Sequence, residues 1–269
     1  MEWGIPTLIE TDTLEASAAL CQELGFNFVE LNMNLPQYQK LDISLLKDIV
    51  SQYGIYFTVH LDEKMDLCDF NPRVADAYLQ TLLDTINAAK QLDIPVLNMH
   101  MPQGVYFTLP ERKLYLYDKY QNYFLNRISE VASQCTVAAE NRLNICIENT
   151  GDLHLPFLRE AVTRLLKSPC FGLTFDIGHN YSAGDVDQPF ILRNRNKLRH
   201  FHIHDALGKN NHLPLGTGEM NIPRYIRLAE ETHCRAVLEV KTVQGLRNSV
   251  DWLKNRDKGG WNGNQRYSN

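Results

Sequence analysis

The sequence predicts a single (β/α)8 barrel, and two observations indicate this fold class. Helical patterns alternate with short apolar runs, which predicts parallel strands joined by crossover helices. Eight such units close into a barrel, whereas an open doubly wound sheet, the alternative, would gather ligands at one switch point. The eight runs lie near residues 3–9, 26–33, 55–61, 94–101, 143–149, 171–177, 198–204 and 235–241.

The first two predicted helices have clear start and stop signals. Asp12 with Glu15 forms a capping-box pattern that predicts where the first helix begins, and Gly25 predicts where it ends. Asp42 predicts the start of the second helix, which Gly54 closes in the same way.

The later helices are predicted from prolines and from apolar periodicity. Asn71 and Pro72 open a long helix, because proline is favoured at the first helical position. Another helical segment covers about residues 113–141, and Pro223 begins a helix that ends near residue 233. The buried stripe of the long helix is predicted to be Val74, Ala77, Tyr78, Leu82 and Ile86.

The composition is that of one globular domain. With 269 residues, 44% of them hydrophobic, the chain can bury a sizeable core. Its formal net charge of −5 neither requires nor forbids a polyanionic partner. We expect the barrel to span residues 1–256 and the Gly- and Asn-rich residues 257–269 to form a mobile tail.

Cysteine usage and hydropathy indicate a cytoplasmic protein. The six cysteines form no Cys-x-x-Cys pair, so we expect reduced and mostly buried thiols. The N-terminus lacks a charged-then-apolar signal pattern, and no apolar run approaches the roughly 18 residues of a membrane span. No membrane partner is therefore expected.

Acidic and histidine residues lie at the ends of four successive predicted strands. Glu148 ends the fifth strand and Asp176 the sixth, while His202 and Glu239 lie late in the seventh and eighth. These ends converge in a barrel, and burying the groups without partners would cost several kcal/mol per charge. We therefore predict that they share one divalent cation. Three oxygen donors and one nitrogen suit Mn²⁺, Zn²⁺, Co²⁺ or Mg²⁺ and do not select one of these ions.

Four short motifs carry a resemblance to a known family. They are Ile147-Glu148-Asn149, the Asp-x-x-His of Asp176 and His179, the His-x-x-Asp of His202 and Asp205, and the stretch from His212 to Gly218. In this order they resemble the xylose-isomerase-like barrels. That superfamily holds sugar and sugar-phosphate isomerases and epimerases together with the apurinic endonuclease IV enzymes. The resemblance covers essentially residues 1–256.

The resemblance implies roles for the matched residues. The four strand-end residues correspond to the metal ligands of the isomerase branch. His179 then lies on the substrate side or serves an extra metal, and His212 is assigned to substrate binding. Asp205 either contacts substrate hydroxyls or braces the loop after the seventh strand.

Further histidines lie on or beside predicted strands. His60 and His100 end the third and fourth strands. Similar histidines bind additional zinc ions in the endonuclease branch, and in an isomerase they would line the mouth of the substrate pocket. His204 ranks below His202 as a candidate ligand, and His200 is expected to point inward as a core histidine.

The implied activity is the isomerisation or epimerisation of a small sugar or sugar phosphate. The cation would polarise a carbonyl group and stabilise an enediolate, while Glu148 and Glu239 act as the proton-transferring acids on either side of the substrate. A homo-oligomer is also expected, because the apolar loop of residues 101–113, with Tyr106 and Phe107, suits either a lid or a subunit contact.

Two alternatives remain open. A multi-zinc phosphodiesterase acting on abasic DNA would use His60, His100, His179 and His212 in addition to the four ligands. Asn210 stands where that branch has an aspartate, and no basic stripe with interleaved aromatic residues is evident, which argues against a nucleic-acid partner. A non-enzymatic sugar-binding barrel that retains the metal is the other alternative.

Overall fold

Eight parallel strands form a closed barrel in which spatial order follows chain order. A computed structural model describes residues 1–258. Every strand pairs with its sequence neighbours, and the last strand pairs with the first. The predicted barrel is confirmed, and the open sheet is excluded. The strands are β1 (Trp3–Pro6), β2 (Phe28–Asn32), β3 (Tyr56–His60), β4 (Val96–Met99), β5 (Asn144–Glu148), β6 (Phe171–Asp176), β7 (Leu198–Ile203) and β8 (Arg235–Leu238).

Helices cover the outside of the barrel, and two short hairpins extend from its loops. One hairpin pairs Tyr106–Thr108 with Lys113–Tyr115, and the other pairs Asp205–Leu207 with Asn210–Leu213. The helices are α1 (Leu14–Glu23), α2 (Ile43–Tyr53), α3 (Pro72–Gln91), α4 (Leu116–Lys119), α5 (Gln121–Ala139), α6 (Pro156–Leu165), α7 (Ile177–Ser182), α8 (Gln188–Arg193), α9 (Ile222–Glu231) and α10 (Val243–Lys258).

Capping residues determine where most of the early helices begin and end. The Asp42 side chain accepts a hydrogen bond from the Leu45 N–H, and Gly54 ends α2 in the left-handed conformation, as predicted. Helix α1 differs from the prediction, because Thr13 and not Asp12 is its N-cap. The Thr13 hydroxyl accepts the Ala16 N–H at 3.1 Å, which satisfies an otherwise free helical donor.

The predicted buried face of α3 was wrong in part. Val74 and Ala77 are exposed and Tyr78 is half-buried, whereas Leu82 and Ile86 are buried as predicted. The helix is rotated so that a neighbouring stripe faces the barrel, and this rotation depends on the strands beneath it. The buried residues of α3 are Ala75, Leu79, Leu82, Thr85, Ile86 and Ala89.

The segment predicted as one helix over residues 113–141 begins as a strand. Lys113–Tyr115 pairs with Tyr106–Thr108, and the Lys113 ammonium lies 4.3 Å from the centre of the Tyr106 ring. Helices α4 and α5 follow. Val105, Tyr106 and Phe107 are exposed on this hairpin, and the expected homo-oligomer stays a prediction.

The structure addresses three further expectations, which concern the cysteines, membrane-spanning helices and the C-terminal tail. All six cysteines are free and buried. Among residues 1–258, no helix is both long and apolar enough to span a bilayer. Helix α10 continues through Lys258, so the chain remains helical past the predicted boundary at 256. The rest of the predicted mobile tail, residues 259–269, lies outside the described residues.

The barrel interior is filled by aromatic packing at its lower end and by buried polar side chains nearer the mouth. Phe28 fills the space beside Gly4 in the adjacent strand and is fully buried. A side chain at Gly4 would overlap the Phe28 ring, so this close approach requires glycine. Above this aromatic layer lie polar side chains that are also buried, among them Glu30, Thr58 and His200. These polar groups support the mouth of the barrel.

We predict that Gly4→Ala lowers the free energy of unfolding by about 1–3 kcal/mol, the usual cost of overpacking a filled core. Urea denaturation should measure the change. In a Phe28→Leu background the added methyl group has more room, so the same substitution should cost less. Equal costs in the two backgrounds would contradict the packing argument.

Candidate metal centre and active site

The four predicted metal ligands converge at the carboxyl end of the barrel. The Nδ1 atom of His202 lies 3.2 Å from Glu239 Oε2, 3.4 Å from Glu148 Oε2 and 3.8 Å from Asp176 Oδ2. Asp176 and His202 are fully buried, and Glu148 and Glu239 are nearly so. Three carboxylates therefore surround one imidazole nitrogen at the mouth of the barrel.

Strand register pairs Asp176 with His202 directly and brings Glu148 and Glu239 to neighbouring rows. Asp176 pairs with His202 between β6 and β7, and Glu148 pairs with Thr174 between β5 and β6. Glu239 follows the last residue of β8, and its N–H donates to the Ile203 carbonyl at 3.0 Å. Because all eight strands are parallel, their carboxyl ends bring these side chains to the same opening.

Several polar atoms at this centre have no hydrogen-bond partner within the described part of the chain. They include His202 Nδ1, Glu239 Oε2 and His179 Nδ1. Donor atoms of Asp176, His202 and Glu239 all lie within 4.8 Å of one another. Buried polar groups are normally paired, so unpartnered lone pairs directed at one point fit a bound cation. The carboxylate and imidazole set suits a divalent ion.

Mutual electrostatics favour the ionised forms of Glu148 and Glu239 and raise the proton affinity of His202. Burial alone would raise the pKa of Glu148, but the charges of His202 and His100 outweigh it and hold that pKa well below its usual range. The Glu239 pKa is held low in the same way, chiefly by His202. Burial lowers the pKa of His202, yet Glu148 and Glu239 raise it well above its ordinary value. The cluster therefore stabilises positive charge at its centre.

His60 and His100 form a second group of donors on one side of Glu148. Their Nε2 atoms lie 3.4 Å and 3.3 Å from Glu148 Oε2. The His60 ring is held by a 2.9 Å hydrogen bond between its Nδ1 and the Leu61 carbonyl, which leaves Nε2 directed at Glu148. Despite burial, contact with Glu148 raises the pKa of His60 to about 9. Both histidines therefore contact a predicted ligand.

His179 and His212 lie on the other side of the centre, where their rings are 5.1 Å apart. His179 Nδ1 lies 3.3 Å from Glu148 Oε1, and the N–H of His179 donates to Asp176 Oδ1 at 2.6 Å in the first turn of α7. His212 Nδ1 lies 3.8 Å from Glu239 Oε2. Burial lowers the pKa of His212 to about 4, which favours a neutral ring with a lone pair that can bind a cation. Both side chains are partly exposed and border the opening.

His204 holds Asp176 in place. Its Nδ1 accepts the His212 N–H at 2.7 Å, so its Nε2 carries the ring proton and donates to Asp176 Oδ1 at 3.1 Å. Gly178 packs directly on the His204 ring, and a side chain there would overlap it. These contacts orient Asp176, and donor atoms of His204, His179 and His212 also lie within 4.8 Å of one another, close enough to hold a metal ion.

Asp205 is directed away from the predicted ligands and into the following loop. It is buried, and its two carboxylate oxygens accept four backbone N–H groups. Of the two interpretations drawn from the sequence, these contacts match the brace. The donors are Ala206, Gly216 and Gly218 at 2.9 Å and Met220 at 3.2 Å.

Three further residues at the centre were not selected from the sequence. The Nζ atom of Lys241 lies 2.6 Å from Glu239 Oε1. Asn98 donates to Glu148 Oε2 from β4. Glu30 lies beneath His202 in the barrel, with Oε1 2.8 Å from His202 Nε2. An acid in the middle of the apolar β2 run was a signal for Glu30, because a buried charge needs a partner.

His200 occupies the position predicted from the sequence. It is fully buried and points into the barrel, where its Nε2 lies 2.9 Å from Glu30 Oε2. Its other nitrogen has no hydrogen-bond partner among the described residues.

Residues 18–256 match the sequence pattern of the family described as xylose isomerase-like TIM barrels. The match spans most of the chain, and the protein belongs to this family. An uncharacterized protein of Methanocaldococcus jannaschii is 24% identical over 263 residues, which cover 93% of this chain and 86% of that protein.

Solved structures share the fold over nearly the whole chain. A D-tagatose 3-epimerase-like protein is 23% identical with a TM-score of 0.76, and the alignment covers 96% of this chain and 97% of that one. A D-allulose 3-epimerase from Methylomonas sp., solved in complex with D-allulose, is 18% identical with a TM-score of 0.68, over 95% of this chain and 97% of that one. At these identities the likeness establishes the fold alone.

We predict that Asp205→Asn lowers the free energy of unfolding by about 1–3 kcal/mol, because an amide keeps only one of the two accepting oxygens. Chemical denaturation should measure the change, with Asp12→Asn as the matched control, since Asp12 is exposed. If both variants were as stable as the unmodified protein, the loop-bracing role would be wrong.

Proposed function

We propose that the protein is a divalent-metal-dependent isomerase or epimerase of sugars or sugar phosphates, which moves a proton next to a carbonyl group. The observation that carries this proposal is the position of His202 Nδ1, within 3.8 Å of carboxylate oxygens from three other strand ends. Family membership and the sugar epimerases among the similar structures support it.

Glu148, Asp176, His202 and Glu239 would hold the cation. When bound, it would supply positive charge that polarises a substrate carbonyl and stabilises the negative charge that develops on the neighbouring oxygens. The four residues leave the side facing His100, His179 and His212 open to solvent, since these three are the partly exposed members of the centre. A sugar would enter from that side.

The two glutamates have different surroundings, which suits opposite roles in proton transfer. The Oε2 atom of Glu148 contacts Asn98, His60 and His100. Its Oε1 atom contacts His179, which is partly exposed at the opening. Oε1 of Glu148 is therefore the oxygen available to remove or return a substrate proton.

The Glu239 carboxylate forms an ion pair with a lysine side chain near the surface. Its Oε1 pairs with the Lys241 ammonium, while its Oε2 faces His202. Lys241 favours the ionised form of this carboxylate, so Glu239 is suited to begin a cycle as the base. We assign proton removal and return to Glu148 and Glu239 as a pair, and His100, His179 and His212 to contacts with substrate hydroxyls. His60, expected from the sequence to line the pocket, is buried with its nitrogens on Leu61 and Glu148, so we assign it to orienting Glu148.

A specific observation favours a second candidate function, a multi-zinc phosphodiesterase acting on abasic DNA. Donors lie on both sides of the proposed cation, with His60 and His100 at one carboxylate and His179 and His212 across the opening. Additional zinc ions could occupy these groups. Asn210 lies exposed in the hairpin two residues before His212 and offers an amide where a carboxylate would bind zinc better.

We expect protein reloaded with Mn²⁺, Co²⁺, Zn²⁺ or Mg²⁺ to bind about one ion per chain. With a keto-sugar or keto-sugar phosphate in D2O, it should incorporate deuterium at the carbon next to the carbonyl. Glu148→Gln should slow this exchange by roughly 10²- to 10⁴-fold, the usual contribution of such a base. Mass spectrometry and NMR would measure metal content and exchange.

The exposed Glu15→Gln serves as the control and should exchange at the unmodified rate. Full exchange by Glu148→Gln would refute the assigned role. Two or three zinc ions per chain, with incision of abasic DNA and no sugar exchange, would replace the isomerase by the phosphodiesterase.

A further inference from the structure

A buried carboxylate lies directly beneath the proposed metal centre. Glu30 stands at the middle of β2 between Val29 and Leu31, and it is only 2% exposed. An ionised carboxylate at that depth is costly unless it is paired and hydrogen-bonded. Its partners therefore indicate why the barrel contains it.

Each oxygen of Glu30 has its own partners. Oε1 lies 2.8 Å from Nε2 of His202, an ion-pair contact that the present ring orientation does not align as a hydrogen bond. Oε2 accepts the Thr58 hydroxyl at 2.8 Å and contacts His200 Nε2 at 2.9 Å. Thr58, His200 and His202 are fully buried, so no solvent competes for the carboxylate.

These contacts join two separated parts of the barrel wall. Glu30 and Thr58 are register partners in the adjacent strands β2 and β3. His200 and His202 lie on β7, which is separated from β2 by β8 and β1. Glu30 therefore spans the interior and reaches the ring whose other nitrogen faces the three carboxylates.

The two nitrogens of His202 face different environments. Nδ1 faces Glu148, Asp176 and Glu239, and Nε2 faces Glu30. A neutral imidazole carries one proton, so a carboxylate at Nε2 favours the proton there and leaves the Nδ1 lone pair free. Carboxylates that orient metal-binding histidines in this way also increase their strength as ligands.

We propose that Glu30 is a positioning residue of the metal centre, which sets the tautomer and orientation of His202 so that its Nδ1 can bind the cation. Thr58 and His200 hold the opposite oxygen and thereby fix the plane of the carboxylate. The inference rests on the proposed function only in taking His202 as a metal ligand. A packing role alone would not select between the two ring nitrogens.

Glu30→Gln tests the inference with metal affinity as the readout. We expect the apparent affinity for Co²⁺ to fall by roughly 10- to 100-fold, the usual loss for such an orienting group, with a changed visible absorption spectrum of the bound ion. Thr58→Val is the matched control, because it removes a bond to Oε2 and leaves the Oε1 contact with His202. Its Co²⁺ spectrum should match that of the unmodified protein.

The two proposals fail in different ways. If the unmodified protein binds no Co²⁺, Zn²⁺ or Mn²⁺, the proposed metal site is wrong and the role of Glu30 with it. If the unmodified protein binds Co²⁺ and Glu30→Gln gives the same affinity and spectrum, only the role of Glu30 is overturned.

A second readout needs no variant at Glu30, so it remains decisive if Glu30→Gln does not fold. Nitrogen-15 NMR of the zinc-loaded, otherwise unmodified protein reports which nitrogen of each histidine carries a proton. The His202 signals would be assigned by their loss in His202→Gln. A proton on Nε2 whose resonance is shifted far downfield by a hydrogen bond to the Glu30 carboxylate supports the inference, and an Nε2 proton without that shift, or a proton on Nδ1, overturns it.

Discussion

The balance of buried charge at the mouth of the barrel is the constraint on which the rest of the site depends. Glu148, Asp176 and Glu239 bring three carboxylates to one buried nitrogen of His202. Carboxylates at this depth repel one another and lose hydration, so they require positive charge from histidines or from a bound cation. The surrounding residues either supply such charge or orient the acids.

Barrel closure provides the rigidity that this arrangement needs. Aromatic packing of Phe28 against Gly4 fills the lower interior, and the Glu30 network connects opposite walls above it. Loops at the mouth are tied by buried acids. Asp205 binds four backbone N–H groups after β7, and Asp187 accepts the Gly151 and Leu153 N–H groups after β5. Rigid loops keep ligand positions constant, which metal binding and proton transfer both require.

The donors around Glu148 are more numerous than one cation needs. His60 and His100 approach one of its oxygens, and His179 approaches the other. In a sugar isomerase the His100 and His179 rings suit substrate hydroxyls, while in a phosphodiesterase all three would suit further zinc ions. The same geometry therefore supports two chemistries, and Asn210 is the position at which the chain departs from the multi-zinc pattern.

The sequence by itself determined the eight strands, their order and the four residues now seen together, because apolar periodicity, caps and strand-end positions are local signals. Tertiary structure decided which face of α3 is buried, and it also decided the bracing contacts of Asp205. It paired Glu30 with His200, 170 residues later in the chain, and placed His204 on Asp176. These contacts depend on barrel closure and on side-chain direction across strands distant in sequence, which no local pattern records.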